Sequence, residues 1–342
     1  MATVAASVWL VGVASIDVAN AQKPRLRTLK YDQKSEQWSE VVPPPPGTPK
    51  GDLFAIRVLL EKERFRSVLS SAKRFVKNYG EDDANFPAVM ICRGQAWIGK
   101  RKYGKALAVV EEFLDRFGGI ELTDEAQRQR FVIAEAYLGG FKRKFMGLRI
   151  LSGIDRGYAI LDEISFDSPD PEIAVLAIKT KADHLFLTGD HGLAELEYGR
   201  LLTDHPNSRY HRFALRRSAD AALASFAGVE YDDAPLIEAR GRFVDYRVRY
   251  PAAAAAEQVD SVLNTIRARR AEKHYVIGEY YERTEHLSSA VYYYRIVMER
   301  WPETVAASKA RTRLELLGAL NATPDQPDGS NSTSPSTTEA DG

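Results

Sequence analysis

The sequence predicts an all-α fold, a solenoid of about six antiparallel helix pairs with a capping helix at its carboxy-terminal end. Three observations carry this. From Gly51 to about Leu320 the apolar residues recur at helical spacing, and no run alternates clearly enough to read as a strand. Four residue types recur along that stretch with successive separations of three, nine and twelve. An aromatic residue directly precedes the breaker in Tyr79-Gly80, Phe117-Gly118, Tyr250-Pro251 and Trp301-Pro302, and His205-Pro206 follows the same habit.

The frame is clearest near the end of the chain, as Gly278, Tyr281, Ala290 and Pro302. Gly94, Trp97, Ala106 and Gly118 repeat it, as do Ala182, Leu185, Ala194 and Pro206, and more faintly Ile56, Leu59, Val68 and Gly80. Its residue types have a physical sense. A small residue in a first helix lets the second approach, and a large one a turn later fills the space beside it. A small residue in the second helix receives its partner, and Pro or Gly ends that helix. Each pair leaves an apolar side that only a neighbouring pair can cover. This is the pattern of tetratricopeptide-like helix-turn-helix repeats.

Taken in order, residues 1–21 read as an export signal. Val4 to Ala14 is an apolar run too short to span a bilayer, and Ala19-Asn20-Ala21 is a small-x-small cleavage site. An uncleaved anchor is the alternative reading. Residues 22–50 read as an extended linker, with Pro43-Pro44-Pro45-Pro46 favouring a polyproline II spacer. The helical region 51–320 then holds four repeats in frame and two with longer connections. Ala134, Tyr137, Gly157 and Pro169 mark one of these, with an extended first helix or an ordered loop over 141–153; Ala239 and Pro251 mark the other. Val305 to Leu320 is the closing helix. The tail, 321–342, is Ser, Thr, Pro, Asp and Gly, which cannot bury enough surface to order itself.

Composition narrows the function classes. Lys plus Arg and Asp plus Glu stand at 47 each, so the chain has no net charge with which to attract nucleic acid or an anionic membrane. Cys92 is the one cysteine, which excludes an internal disulfide, and its apolar neighbours mark it as a small buried hydrophobe. No pair among the six histidines has metal-ligand spacing on one helix, and neither a phosphate-binding loop nor a Gly-x-Ser-x-Gly elbow is present. The expectation is therefore a binding protein with no cofactor, no metal and no catalytic residue. The tyrosines at 280–281 and 292–294 read as packing more readily than as a stacking platform.

The last repeat is also similar to a particular family. Ala271-Glu272-Lys273-His274-Tyr275-Val276-Ile277-Gly278-Glu279-Tyr280-Tyr281-Glu282-Arg283 runs on to Ala290-Val291-Tyr292-Tyr293-Tyr294-Arg295-Ile296-Val297 and closes on Trp301-Pro302-Glu303-Thr304. This resembles the carboxy-terminal repeat of the BamD family, the outer-membrane assembly lipoproteins also called ComL or YfiO. The resemblance is specific from about Ala271 to Leu317. It implies a periplasm-facing scaffold whose amino-terminal repeats take up unfolded β-barrel substrates and whose carboxy-terminal repeats dock on the barrel-inserting subunit. A general periplasmic scaffold for envelope or cell-division complexes is the alternative. That family is anchored by a lipidated cysteine just after its signal; none stands near Ala21, so membrane association is expected through partners or an uncleaved amino terminus.

In either reading the first helices line a protein-binding groove. Counting outward from the frame selects Arg57, Ile91, Gln95, Lys179, Asp183, Tyr275 and Glu279 as its lining.

Overall fold

The structure, a computed structural model, describes residues 29–32, 37–40, 43–145 and 148–319. The export signal read over 1–21 and the tail read over 321–342 lie outside the described residues. The chain divides into two compact units, Met1–Phe86 and Pro87–Gly342.

The first unit holds a two-stranded antiparallel hairpin, β1 (Leu29–Asp32) with β2 (Gln37–Glu40), and the helix pair α1 (Pro49–Glu61) and α2 (Phe65–Tyr79). Strand pairing therefore occurs inside the stretch read as an extended linker. Helix α1 starts where it does because Thr48 accepts the Gly51 amide at 3.1 Å and Pro49 occupies the first helical position.

The second unit is helical almost throughout. It runs α3 (Phe86–Gly99), α4 (Tyr103–Phe117), α5 (Thr123–Leu138), α6 (Ile154–Asp167), α7 (Pro171–Thr188), α8 (His191–Asp204), α9 (His211–Ala224) and α10 (Ala234–Arg249). A short α11 (Pro251–Ala256), a long α12 (Val259–Arg283), α13 (Leu287–Arg300) and α14 (Val305–Leu316) complete it. Helices adjacent in sequence pack on each other in pairs from α4 to α14, the arrangement of a tetratricopeptide-like array.

Two local expectations need correction. Within 141–153 the described residues form no extended first helix but an ordered connection with two antiparallel strands, β3 (Arg143–Phe145) against β4 (Leu148–Leu151). Short runs mixing basic and apolar residues, parted by Met146-Gly147, are hairpin material once a helix has ended at Gly139-Gly140. Pro251 does more than stop α10, because it opens α11, where its missing N–H costs nothing.

A turn recurs within the pairs. Glu63, Arg101, Gly189 and Glu285 all have φ between 53° and 91°, and each stands seven residues after the first residue of its frame. In each turn the next amide reaches back to the carbonyl of the frame's large residue: Arg64 to Leu59, Lys102 to Trp97, Asp190 to Leu185 and His286 to Tyr281, at 2.9 Å in every case. This left-handed C-cap turns the chain from one helix into the next. Helices α7 and α14 are also capped in front, by Asp170 on Glu172 N and Thr304 on Ala307 N.

The frame residues sit at helix contacts. Ala106, Ala182, Ala194 and Ala290 are fully buried. A Cβ added at Gly94 would meet Val110 at 3.1 Å and Gln129 closer still, while one at Gly278 would meet the Tyr294 ring at 2.7 Å. Pro206 and Pro302 are exposed in the turns after α8 and α13. Apolar clusters continue from pair to pair, as where Ile133, Tyr137, Ile160, Ile164, Ile173 and Ala177 join α5, α6 and α7. A burial of this kind is the main source of stability for such an array.

Candidate protein-binding surface

The seven residues selected for the groove divide by their place in the frame. Arg57, Gln95, Asp183 and Glu279 directly follow a first-position frame residue, whereas Ile91, Lys179 and Tyr275 precede one by three. Helical geometry puts a residue at minus three on the same face as the frame residue and a residue at plus one about 100° away from it. Arg57, Gln95 and Glu279 are exposed, as expected of a lining.

Ile91 and Tyr275 are corrections. Ile91 is 7% exposed, and its carbonyl accepts a bond from Gln129 Nε2 at 3.0 Å. Tyr275 is 6% exposed, with its ring 5.5 Å from that of Tyr294 and Lys309 Nζ 5.3 Å above it. Burial, and then a bond to Glu279, push its hydroxyl up to about 12. Both residues pack helices together.

Lys179 and Asp183 are half-buried and committed to each other, Nζ to Oδ2 at 2.5 Å. Lys179 Nζ also lies 4.5 Å above the Phe213 ring of α9, and Asp183 accepts the Tyr198 hydroxyl of α8. Together they tie α7 to the next two helices. No local sequence pattern signals this, since the partners on α8 and α9 are 15 and 34 residues away.

The same device appears twice more. The Tyr246 hydroxyl donates to Glu257 at 2.9 Å, and Arg216 meets that carboxylate at 2.8 Å. The Tyr294 hydroxyl donates to Glu282 at 2.7 Å, and Arg313 of α14 pairs with it. Burial foremost, and then the carboxylate, push Tyr246 up to about 12; Tyr294 is raised for the same reasons. A buried hydroxyl that always has an acceptor adds specificity to each junction at little cost.

His184 and the carboxylates of Glu111 and Glu163 are likewise engaged in structure. His184 bonds the Tyr158 hydroxyl at 2.7 Å and the Leu138 carbonyl at 3.2 Å, which joins α5, α6 and α7. A cleft of about 560 Å³ at the ends of α4 and α6 contains Glu111, Glu163 and Arg130. There Arg130 and Arg156 both pair with Glu163, and Arg156 also with Glu111. Among the described residues no group of three or more His, Cys, Asp or Glu side chains is placed to hold a metal ion. No helix there is long and apolar enough to cross a membrane.

What the surface does offer is aromatic. Tyr281 stacks on Tyr293 at 5.5 Å and 15°, within the α12–α13 seam, while Tyr280 and Tyr292 flank them at 53% and 57% exposure. Packing and presentation are thus shared between neighbouring tyrosines, and Arg283 covers the Tyr280 ring at 5.8 Å.

Fold and surface together define an array of tetratricopeptide-like helix pairs in which buried tyrosine hydroxyls and their carboxylate partners join neighbouring helices. Residues 188–322 match the family model YfiO, outer membrane lipoprotein. That span takes in α8 to α14 and contains the whole of the segment, Ala271 to Leu317, on which the resemblance to the BamD family was read. No curated protein matches the chain.

Proposed function

We propose that this protein is a non-enzymatic adaptor on the periplasmic face of the outer membrane, serving the assembly of β-barrel proteins. The observation that carries the reading is the YfiO match over residues 188–322. The engagement of its charged and hydroxyl groups in helix junctions supports a scaffold, because it leaves surfaces rather than a reacting centre for partners. In this reading the carboxy-terminal repeats dock on the barrel-inserting subunit, and exposed residues of first helices in the second unit, Gln95 and Glu279 among them, contact polypeptide.

Affinity capture of the tagged native protein tests it directly. An outer-membrane barrel subunit should be recovered with it. Recovery of envelope or cell-division proteins with no barrel protein would replace the adaptor by a general periplasmic scaffold. Export is tested separately, by mass spectrometry of the native amino terminus, where Gln22 is expected; a retained Met1 would remove the signal-peptide cleavage at Ala21.

A further inference from the structure

We propose that the cleft at the ends of α4 and α6 receives an arginine side chain of a partner polypeptide, with a carbonyl oxygen of the same segment. The site stands on the carboxy-terminal ends of second helices and does not depend on the adaptor reading.

Three helices build the cleft, whose volume is about 560 Å³. Glu111 and Asp115 line it from α4, and Glu163 and Asp167 from α6. Buried Thr123, Gln127 and Arg130 form its floor on α5, which packs on both of the others. In each acidic pair the second residue stands one turn after the first, nearer the end of its helix. The inner carboxylates are neutralised within the protein. One guanidinium, that of Arg156, joins Glu111 at 2.5 Å to Glu163 at 2.9 Å, and Arg130 pairs with Glu163 from the floor.

One turn farther out this pattern stops. Asp115 and Asp167 are exposed, and among the described residues neither has an ion-pair or hydrogen-bond partner. Both helices also end beside them, at Phe117 and at Asp167 itself, so their last carbonyls add partial negative charge. Arg116, the basic residue in the last turn of α4, pairs with Glu112, and the last turn of α6 has no basic residue. The mouth of the cleft therefore calls for a cation.

The floor calls for an acceptor. Gln127 is 2% exposed, and its Oε1 accepts from Arg130 Nη1 at 3.2 Å. Its amide nitrogen donates to no group among the described residues, and Arg130 Nε is buried without an acceptor. Buried donors left in this way are rare in folded proteins. A backbone carbonyl beside a basic side chain supplies both needs at once. Among the described residues no three His, Cys, Asp or Glu side chains are placed to hold a metal ion, so an organic cation suits the outer pair. The planar guanidinium that already spans Glu111 and Glu163 is the shape for two carboxylates on opposite walls, which favours arginine over lysine.

The test titrates the isotope-labelled full chain with a capped pentapeptide, one arginine among alanines, and follows its signals by NMR. The Gln127 side-chain amide and the backbone amides of Asp115 and Asp167 should shift together, and less as salt rises. The same peptide with citrulline for arginine keeps the shape, loses the charge, and should bind about tenfold more weakly or worse. Asp115→Asn/Asp167→Asn should weaken binding of the arginine peptide by about the same factor. Its melting temperature should be unchanged, because both residues are exposed and unpaired. No shift at these residues overturns the proposal. So does equal binding of the citrulline peptide, or full binding by the folded double variant. The citrulline arm leaves the protein untouched, so a misfolded variant does not decide the matter. The adaptor reading is judged independently, by capture of a barrel subunit with the unmodified chain.

Discussion

At Gly278 a missing methyl group sets how closely α12 and α13 approach. A Cβ there would stand 2.7 and 2.8 Å from two carbons of the Tyr294 ring, and that ring is fixed by its bond to Glu282 and by Tyr275 alongside. Gly278→Ala should therefore destabilise by about 1–3 kcal/mol through overpacking, less the roughly 1 kcal/mol that Ala gains over Gly in a helix. An unchanged urea midpoint would show that the contact yields. Close by, two groups make the last repeat sensitive to acid. Arg313 foremost, with Tyr294 assisting against burial, holds Glu282 below its ordinary 4.5. Its stabilisation is present above that value and is lost as pH falls through the lower, folded one. Burial lowers His274 from 6.5, so the unfolded chain takes up that proton first and stability begins to fall below pH 6.5. His274→Phe should remove the earlier loss and Glu282→Gln the later. Melting profiles that both superimpose on the parent's across pH 3 to 7 would refute the assignment of either residue.

The repeat frame was legible at the level of elements because small residues and breakers at fixed spacing have few other causes. Ala182, Ala194, Gly94 and Gly278 could be placed without coordinates for that reason. The direction of neighbouring side chains was not, since a three-residue step keeps Ile91 and Tyr275 on the contact face while a one-residue step turns Gln95 and Glu279 away. The left-handed turn position was hidden too. Only Gly189 announces it, whereas Glu63, Arg101 and Glu285 hold the same conformation with side chains that disfavour it. For residues with a Cβ that conformation costs roughly 1–2 kcal/mol. Arg101→Gly and Glu285→Gly should therefore each stabilise by about 0.5–1 kcal/mol, since both are exposed, and Gly189→Ala should destabilise by about 1 kcal/mol. Thermal melts of the three variants check this; a common sign for all of them would mean that backbone conformation is not what decides stability there.

Across the second unit, stability should be local and transmitted from neighbour to neighbour, as expected when each pair buries its apolar side on the next. Helix α14 is the place to see it. Ala306, Ala307, Ala310 and Leu314 close a cluster that contains Ala271, Tyr275, Tyr294 and Trp301, and Arg313 and Lys309 reach back to Glu282 and Glu272 of α12. Ending the chain before Val305 would uncover that cluster and leave Glu282 without its cation. The clusters that run from α4 to α9 share no residue with it. Amide hydrogen exchange on the shortened chain should show protection lost in α13 and in α12 beyond Ala271. Helices α5, α6 and α7 should exchange as in the intact protein, because opening free energies differ between cooperative segments. Loss of protection spread evenly over α5 to α13 would instead mean that the unit unfolds as one body and that α14 is a keystone for all of it.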